Sequence, residues 1–294
     1  MPREKQSIES ASYAKINLFL DIERIREDGY HDLSMVNAKI SFHDTITCSL
    51  NAKPGIVLTC SDPDLPTDEN NMAYQAAQRY CDQSRISKGV ILHIEKRIPK
   101  GAGLGGGSSD AATVLLSLNK LIDNRVSRIV LKEIAVGIGA DVPFFLEPGL
   151  CVCSGVGERV VSIHLAKGFE DPPLYGVLCS PAEEVSSKIA YSQWDNLTEQ
   201  KHSSARKLLN ALTMQDWGRI PHYLFNAFEQ VVFKEYPVVK SAYKQFCKVS
   251  PTPPRLTGSG SNLFSLHTTQ AEAEEVARKL TELDLRTNVF YMII

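Results

Sequence analysis

Residues 96–112 read KRIPKGAGLGGGSSDAA and place five glycines within the seven positions 101–107. Gly101, Gly103, Gly105, Gly106 and Gly107 bring a backbone freedom that costs entropy on folding, so the run asks for a purpose. An alternating, strand-like segment (89–98) leads into it. A segment with an apolar helical stripe follows, with Ser108 or Ser109 as its N-cap. Glycine N–H groups can turn inward on an anion, and a helix start adds unpaired N–H groups and the positive end of its dipole. The hydroxyls of Ser108 and Ser109 could bind phosphate oxygens or help hold Mg²⁺. The chemistry implied is phosphate binding.

Three familiar phosphate loops fit poorly. G-x-x-x-x-G-K-[ST] fails because Gly107, not lysine, precedes Ser108. Gly101, Gly103 and Gly106 match G-x-G-x-x-G formally. The segment after the helix, however, reads as another helix, not the strand that should carry a ribose-binding acid. The protein-kinase pattern fails because the chain has neither H-R-D nor D-F-G.

Other chemistry-bearing residues are ambiguous by themselves. In SYAKINLFLDI (12–22), Ala14, Ile16, Leu18, Leu20 and Ile22 fall on one face, and Lys15 and Asn17 on the opposite one. Alternation predicts a strand with one face in the core and those two side chains toward solvent. Tyr30 and His31 follow an Asp28-Gly29 turn, and an isolated histidine there reads as a surface or structural residue. Asp141, in GADVPFFL, reads as a turn former or N-cap. TGSGSNLF (257–264) is a second glycine-serine turn running into a strand.

The elements that must position these residues mix strands and helices without strict βαβ repetition, which predicts an α+β fold. Helices are expected at 71–83, 108–122 and 128–139, the last ending at Gly137 or Gly139. Further ones are expected near 203–213, 222–233 and 238–247 and at 270–283. Strands are expected at 44–50, 55–60 and 287–294, with a strand–turn–strand at 149–163. A Pro-Pro pair and weak periodicity put a domain boundary near 155–172, giving domains 1–160 and 161–294. With 32 basic against 34 acidic residues, nothing points to a nucleic-acid partner. No apolar run approaches a membrane span, and the first residues show neither a signal-peptide nor a transit-peptide pattern, so the expectation is a cytoplasmic bacterial protein. Seven scattered cysteines without a C-x-x-C read as reduced and structural, with Cys151 and Cys153 on one face of a strand. The oligomeric state cannot be read.

PKGAGLGGGSSDAA resembles the phosphate-binding motif of the GHMP kinases. AKINLFLDI, DGYHDL, GADVPFFL and TGSGSNLF stand in the order of that family's other motifs, from about residue 12 to 264. The AKIN and GYH elements resemble the branch that phosphorylates a cytidine diphosphate-linked methylerythritol. The resemblance implies an ATP- and Mg²⁺-dependent small-molecule kinase of two α+β domains with the active site in the cleft between them. It implies Asp141 as general base and Lys15 as its electrostatic partner. Lys100, Gly101, Gly103, Leu104, Gly105, Gly106, Gly107, Ser108, Ser109 and Asn71 would lie along the nucleotide, with Asn70 an equal alternative to Asn71. Asn17, Tyr30, His31, Ser187, Gly258 and Ser259 would meet the acceptor substrate, Tyr30 and His31 at its cytosine end. Ser187 stands where the branch usually has threonine, which keeps the hydroxyl and loses a methyl. No carboxylate dedicated to Mg²⁺ is evident, so Ser108 or Ser109, phosphates and water would hold it. The rivals are a GHMP kinase for mevalonate or homoserine, a silent sensor on the same fold, and a dinucleotide oxidoreductase.

Overall fold

The alternating segment 12–22 is the middle of a longer strand, β1 (Ser7–Ile25), in a computed structural model that describes residues 7–165 and 174–294. Gly29, at φ +81°, lets the chain reverse, and the Asp28 carboxylate accepts the Tyr30 N–H at 3.1 Å. The return strand is β2 (His31–Asn51). Then come β3 (Ile56–Cys60), α1 (Met72–Ser84), β4 (Gly89–Glu95), α2 (Gly106–Leu121), α3 (Arg128–Ile138), α4 (Val142–Leu146), β5 (Leu150–Gly155) and β6 (Arg159–Ser162). The remainder runs β7 (Tyr175–Ser180), α5 (Ser187–Asp195), α6 (Arg206–Thr213), β8 (Phe225–Asn226), α7 (Glu229–Glu235), α8 (Pro237–Val249), β9 (Arg255–Leu256), β10 (Leu263–His267), α9 (Gln270–Thr281) and β11 (Arg286–Ile293). This is the expected mixture of helix and strand.

The chain forms two compact units that interleave in sequence. The first takes the residues up to Ala14, His43–Lys100 and Gly105–Glu147; the second takes Lys15–Phe42, Gly101–Leu104 and Pro148–Ile294. A single cut between 160 and 161 would fall inside β6 and does not describe this division, because β1 and β2 each give residues to both units.

In the first unit β4 pairs antiparallel with the end of β2 and parallel with β3. Ala73, Ala76, Ala77 and Tyr80 of α1 are buried, as are Ala111, Ala112, Leu115 and Leu118 of α2; small residues let the two helices approach closely. In the second unit β2 pairs with β5 and, at its Ile40 end, with β11. β7 joins β11 to β10, and α9 covers β7 and β11. β8 lies parallel to β1, Phe19 opposite Phe225.

The helix expected over 222–233 forms only at 229–235. Asn226 is the reason: its amide donates to the carbonyls of Leu256 and Gly258, and its oxygen accepts the Phe228 N–H, so the preceding residues are held extended beside β1. The thiols of Cys48, Cys151, Cys153 and Cys179 are buried, and burial pushes those of Cys48 and Cys179 up to about 12, far from reactive thiolates. No helix among the described residues is long and apolar enough to cross a membrane.

Candidate active site

The glycine loop is anchored before it begins. Asp44 accepts the N–H groups of Arg97 and Ile98 at 2.5 and 2.8 Å, fixing the chain as it leaves β4. Gly101, Gly103 and Gly105 have φ values of +66°, +73° and +71°, a left-handed conformation repeated at alternate residues. Between them, Ala102 and Leu104 are buried. Such a backbone turns successive N–H groups toward one side, as in anion-binding nests. Gly105 is itself the N-cap of α2, so neither Ser108 nor Ser109 caps the helix; Ser108, the third helical residue, is among those whose N–H groups lie too early for an intrahelical partner, whereas the Ser109 N–H donates to the Gly105 carbonyl at 2.9 Å.

The two serines part ways there. Ser108 is half-buried. Ser109 is 1% exposed, accepts from Ser12 at 2.8 Å and donates to the Tyr13 carbonyl at 2.7 Å, so its hydroxyl is engaged within the protein. Asn71 is also engaged locally. It caps α1 through the Ala73 N–H and donates to the Pro66 carbonyl, while Asn70 is exposed and bonded to Asp68. Lys100 is exposed beside the loop.

In the second unit, the residues that alternation assigns to solvent are buried. Lys15 is 5% and Asn17 1% exposed. Lys15 Nζ donates to Asn17 Oδ1 at 2.8 Å, and Asn17 Nδ2 donates to Asn37 Oδ1 on β2 at 2.7 Å. Asn17 Oδ1 also accepts the Gly258 N–H at 2.7 Å. The Lys15 N–H donates to the Leu104 carbonyl, and Asn262 Nδ2 to that of Ala102. A Cβ on Gly103 would lie 2.2 Å from the Thr257 carbonyl oxygen, and one on Gly258 2.8 Å from Gly103 Cα. β1, the glycine loop and the 257–262 turn therefore meet through polar contacts that only glycine backbones permit. Ser259 lies 2.7 Å, oxygen to oxygen, from Ser187 at the start of α5. Replacing Asn17 by Ala is expected to lower stability by about 1–3 kcal/mol, because the buried Gly258 N–H loses its acceptor; urea unfolding reads this, and an unchanged midpoint would remove Asn17 from this role.

Tyr30 is 64% exposed, whereas His31 is buried. The His31 ring stacks on Tyr191 at 4.4 Å, meets the edge of Trp194, and has Nε2 2.7 Å from Asp195 Oδ1. Asp141, half-buried, precedes α4 and makes no capping bond. All five residues of α4 are buried, which holds this aspartate in place. The sequence did not single out Asn37, Asp195 or Tyr191. Asn37 carries a usable signal, a lone amide between apolar strand residues; the other two carry none.

Residues 71–149 match the model of the GHMP kinases N terminal domain. The chain is 38% identical over 277 residues to the 4-diphosphocytidyl-2-C-methyl-D-erythritol kinase of Prosthecochloris aestuarii, covering 94% of each chain. It is 36% identical to the kinase of the same name from Clostridium botulinum, over 90% of this chain and 92% of that one. The crystal structure of a 4-(cytidine 5'-diphospho)-2C-methyl-D-erythritol kinase superposes with a TM-score of 0.81 at 31% identity, over 98% of this chain and all of that one. A homoserine kinase from Cytophaga hutchinsonii shares the fold at a TM-score of 0.74 and 20% identity. With more than a third of its residues identical over nearly the full length of such relatives, and with the loop geometry above, the chain belongs to the 4-diphosphocytidyl-2-C-methyl-D-erythritol kinase family, a branch of the GHMP kinases.

Proposed function

We propose that this chain transfers the γ-phosphoryl group of ATP to the 2-hydroxyl of 4-diphosphocytidyl-2-C-methyl-D-erythritol, in the cytoplasm, as a step of non-mevalonate isoprenoid precursor biosynthesis. The observation that carries the reading is the joining of the AKIN strand, the glycine loop and the TGSGSN turn through Lys15, Asn17 and Gly258. Phosphoryl transfer needs little covalent help from the protein; positioning and charge neutralisation supply most of the acceleration.

Gly101 to Gly107 and the Ser108 hydroxyl bind the ATP phosphates, with Lys100 at the edge. Asp141 accepts the hydroxyl proton, and Lys15 supplies positive charge. Asn17, Gly258, Ser259 and Ser187 position the acceptor. No group of three or more His, Cys, Asp or Glu able to hold a metal occurs among the described residues. This fits Mg²⁺ carried on the nucleotide, with the Ser108 hydroxyl as the protein oxygen that would help hold it, because Mg²⁺ keeps water and phosphate ligands. When bound, Mg²⁺ would neutralise phosphate charge. Ser109 and Asn71 bind nothing directly in this reading, since their polar atoms are engaged within the protein.

At the cytosine end, the exposed Tyr30 ring offers the stacking face, while His31, already stacked on Tyr191, contributes hydrogen bonding. His31→Ala is expected to raise KM for the cytidyl substrate about tenfold, the loss of roughly one good hydrogen bond, with ATP affinity unchanged. An equal loss of ATP affinity would place His31 elsewhere. The reading as a whole is tested by ADP release in a coupled assay with Mg-ATP and 4-diphosphocytidyl-2-C-methyl-D-erythritol, mevalonate, homoserine or galactose. Turnover confined to the cytidyl compound is expected; turnover on another acceptor, or on none by protein that binds ATP, would overturn the substrate assignment.

A further inference from the structure

Asn37 stands on β2 between Val36 and Ala38, both buried, and is itself 1% exposed. An amide enclosed in this way costs free energy unless its hydrogen bonds are made, and an apolar residue would fill the space without that cost. Two strands supply its partners. Asn17 of β1 has Nδ2 2.7 Å from Asn37 Oδ1, and Cys153 of β5 has Sγ 3.5 Å from Asn37 Nδ2. Strand pairing carries the residue, since β2 and β5 run with Met35 opposite Cys153 and Asn37 opposite Cys151. Beyond Asn17 lies Lys15, and all of these residues belong to the second unit.

Donor and acceptor chemistry fixes which way each amide faces. The Lys15 ammonium at 2.8 Å and the Gly258 N–H at 2.7 Å can only donate, so the Asn17 atom they meet is Oδ1. Asn17 Nδ2 is thereby turned toward Asn37, which must present its own oxygen, and Asn37 Nδ2 is left to the sulfur of Cys153. The other partner of Asn17 Nδ2 is again a sulfur, Met35 Sδ at 3.6 Å. Sulfur is a weak acceptor. Among the described residues, Asn37 Oδ1 is therefore the one oxygen that holds the donor end of the Asn17 amide. The last torsion of an asparagine side chain has broad preferences, so contacts, not the side chain itself, set the plane of that amide.

We propose that Asn37 is a positioning residue for phosphoryl transfer: acting through Asn17, it sets the plane of the amide whose oxygen aims the Lys15 ammonium. This rests on the reading that Lys15 supplies positive charge to the reaction. Asn37 itself touches no reacting atom. Its leverage comes from geometry, because a displacement of about 1 Å in a reacting constellation can cost roughly 10²-fold in rate. Loss of Asn37 Oδ1 would leave Lys15, Gly258 and Thr257 pulling on one end of the Asn17 amide, with only Met35 Sδ at the other. The amide would then rotate, and the ammonium that it holds would move with it.

The test is steady-state kinetics with Mg-ATP and 4-diphosphocytidyl-2-C-methyl-D-erythritol, alongside direct titration of ATP. Wild type is compared with Asn37→Leu, Asn37→Asp, Lys15→Met and the double variant Lys15→Met/Asn37→Leu. Leu fills a similar space without an acceptor, whereas Asp keeps an oxygen toward Asn17 in either protonation state. Asn37→Leu is expected to lower kcat about tenfold, with ATP affinity and acceptor KM within about twofold of wild type. Asn37→Asp is expected to restore kcat to within about threefold. In the Lys15→Met background, Asn37→Leu is expected to change kcat by less than about twofold, because its route is already cut. A merely structural role would lower activity in both backgrounds. Near-normal kcat in Asn37→Leu, or a further tenfold loss in the Lys15→Met background, would overturn the inference and leave the role of Lys15 standing. Wild-type kcat in Lys15→Met would overturn the reading of Lys15 itself. Should Asn37→Leu fail to fold, NMR of wild type labelled with ¹⁵N-asparagine decides. The Asn17 side-chain amide, assigned by its loss in Asn17→Ala, is expected to exchange with solvent at least about 100-fold more slowly than a free amide. Exchange at the free rate would also overturn the inference.

Discussion

Asp141→Asn is expected to lower kcat by about 10²–10⁴-fold, the range of a general base, with little change in nucleotide affinity. Asn keeps the size and turn-forming character of Asp, so the reversal before α4 survives, and the buried helix continues to hold the position. What is lost, on the proposed reading, is the carboxylate that would receive the hydroxyl proton. A loose phosphoryl-transfer transition state makes modest demands on the nucleophile, which places the expected loss toward the lower end of the range. Steady-state kinetics with the cytidyl acceptor, alongside direct titration of nucleotide, separate the two effects. A near-normal kcat would assign proton removal to another group, and a parallel loss of nucleotide affinity would make Asp141 a binding residue.

Gly103→Val should be the most damaging change in the loop. Gly103 stands at φ +73°, which a β-branched residue strongly resists. Its Cβ would also lie 2.2 Å from the Thr257 carbonyl oxygen, a backbone atom that cannot swing aside. Strain and overlap together should cost about 4 kcal/mol of stability and separate the glycine loop from the 257–262 turn, abolishing measurable nucleotide binding. Gly101 is the internal control. It shares the left-handed conformation, at φ +66°, but a Cβ there meets nothing within 4 Å. Gly101→Ala should cost only about 1–2 kcal/mol. Urea unfolding of Gly103→Ala and Gly101→Ala reads the difference. Equal losses would mean that conformation alone, not close approach, explains the glycine at 103.

The order strand, glycine loop, helix was legible in the chain because its causes are local: alternation before Lys96, backbone freedom from Gly101 to Gly107, and an apolar stripe from Ala111 to Leu118. The reading of Ser108 and Ser109 as equivalent failed for a geometric reason. Adjacent helical residues point about 100° apart, so one hydroxyl stays at the loop while the other enters the core, and residue type carries no trace of which. The helix expected near 222–233 was shortened for a different reason, since Asn226 trades its helical place for carbonyls at Leu256 and Gly258. Alternation in β1 found the core face correctly. It misjudged the other face because Asn17, which accepts from Lys15, is itself held by Asn37 and Gly258, which arrive from elsewhere in the chain.

By itself, then, the sequence determined the α+β class, the glycine loop set between strand and helix and the family resemblance, since each rests on local periodicity, composition or motif order. Tertiary structure alone decided which polar side chains are buried and which hydroxyls are engaged within the protein. That burial depends on atoms brought together from β1, β2, α2 and the 257–262 turn, and no local pattern encodes that meeting.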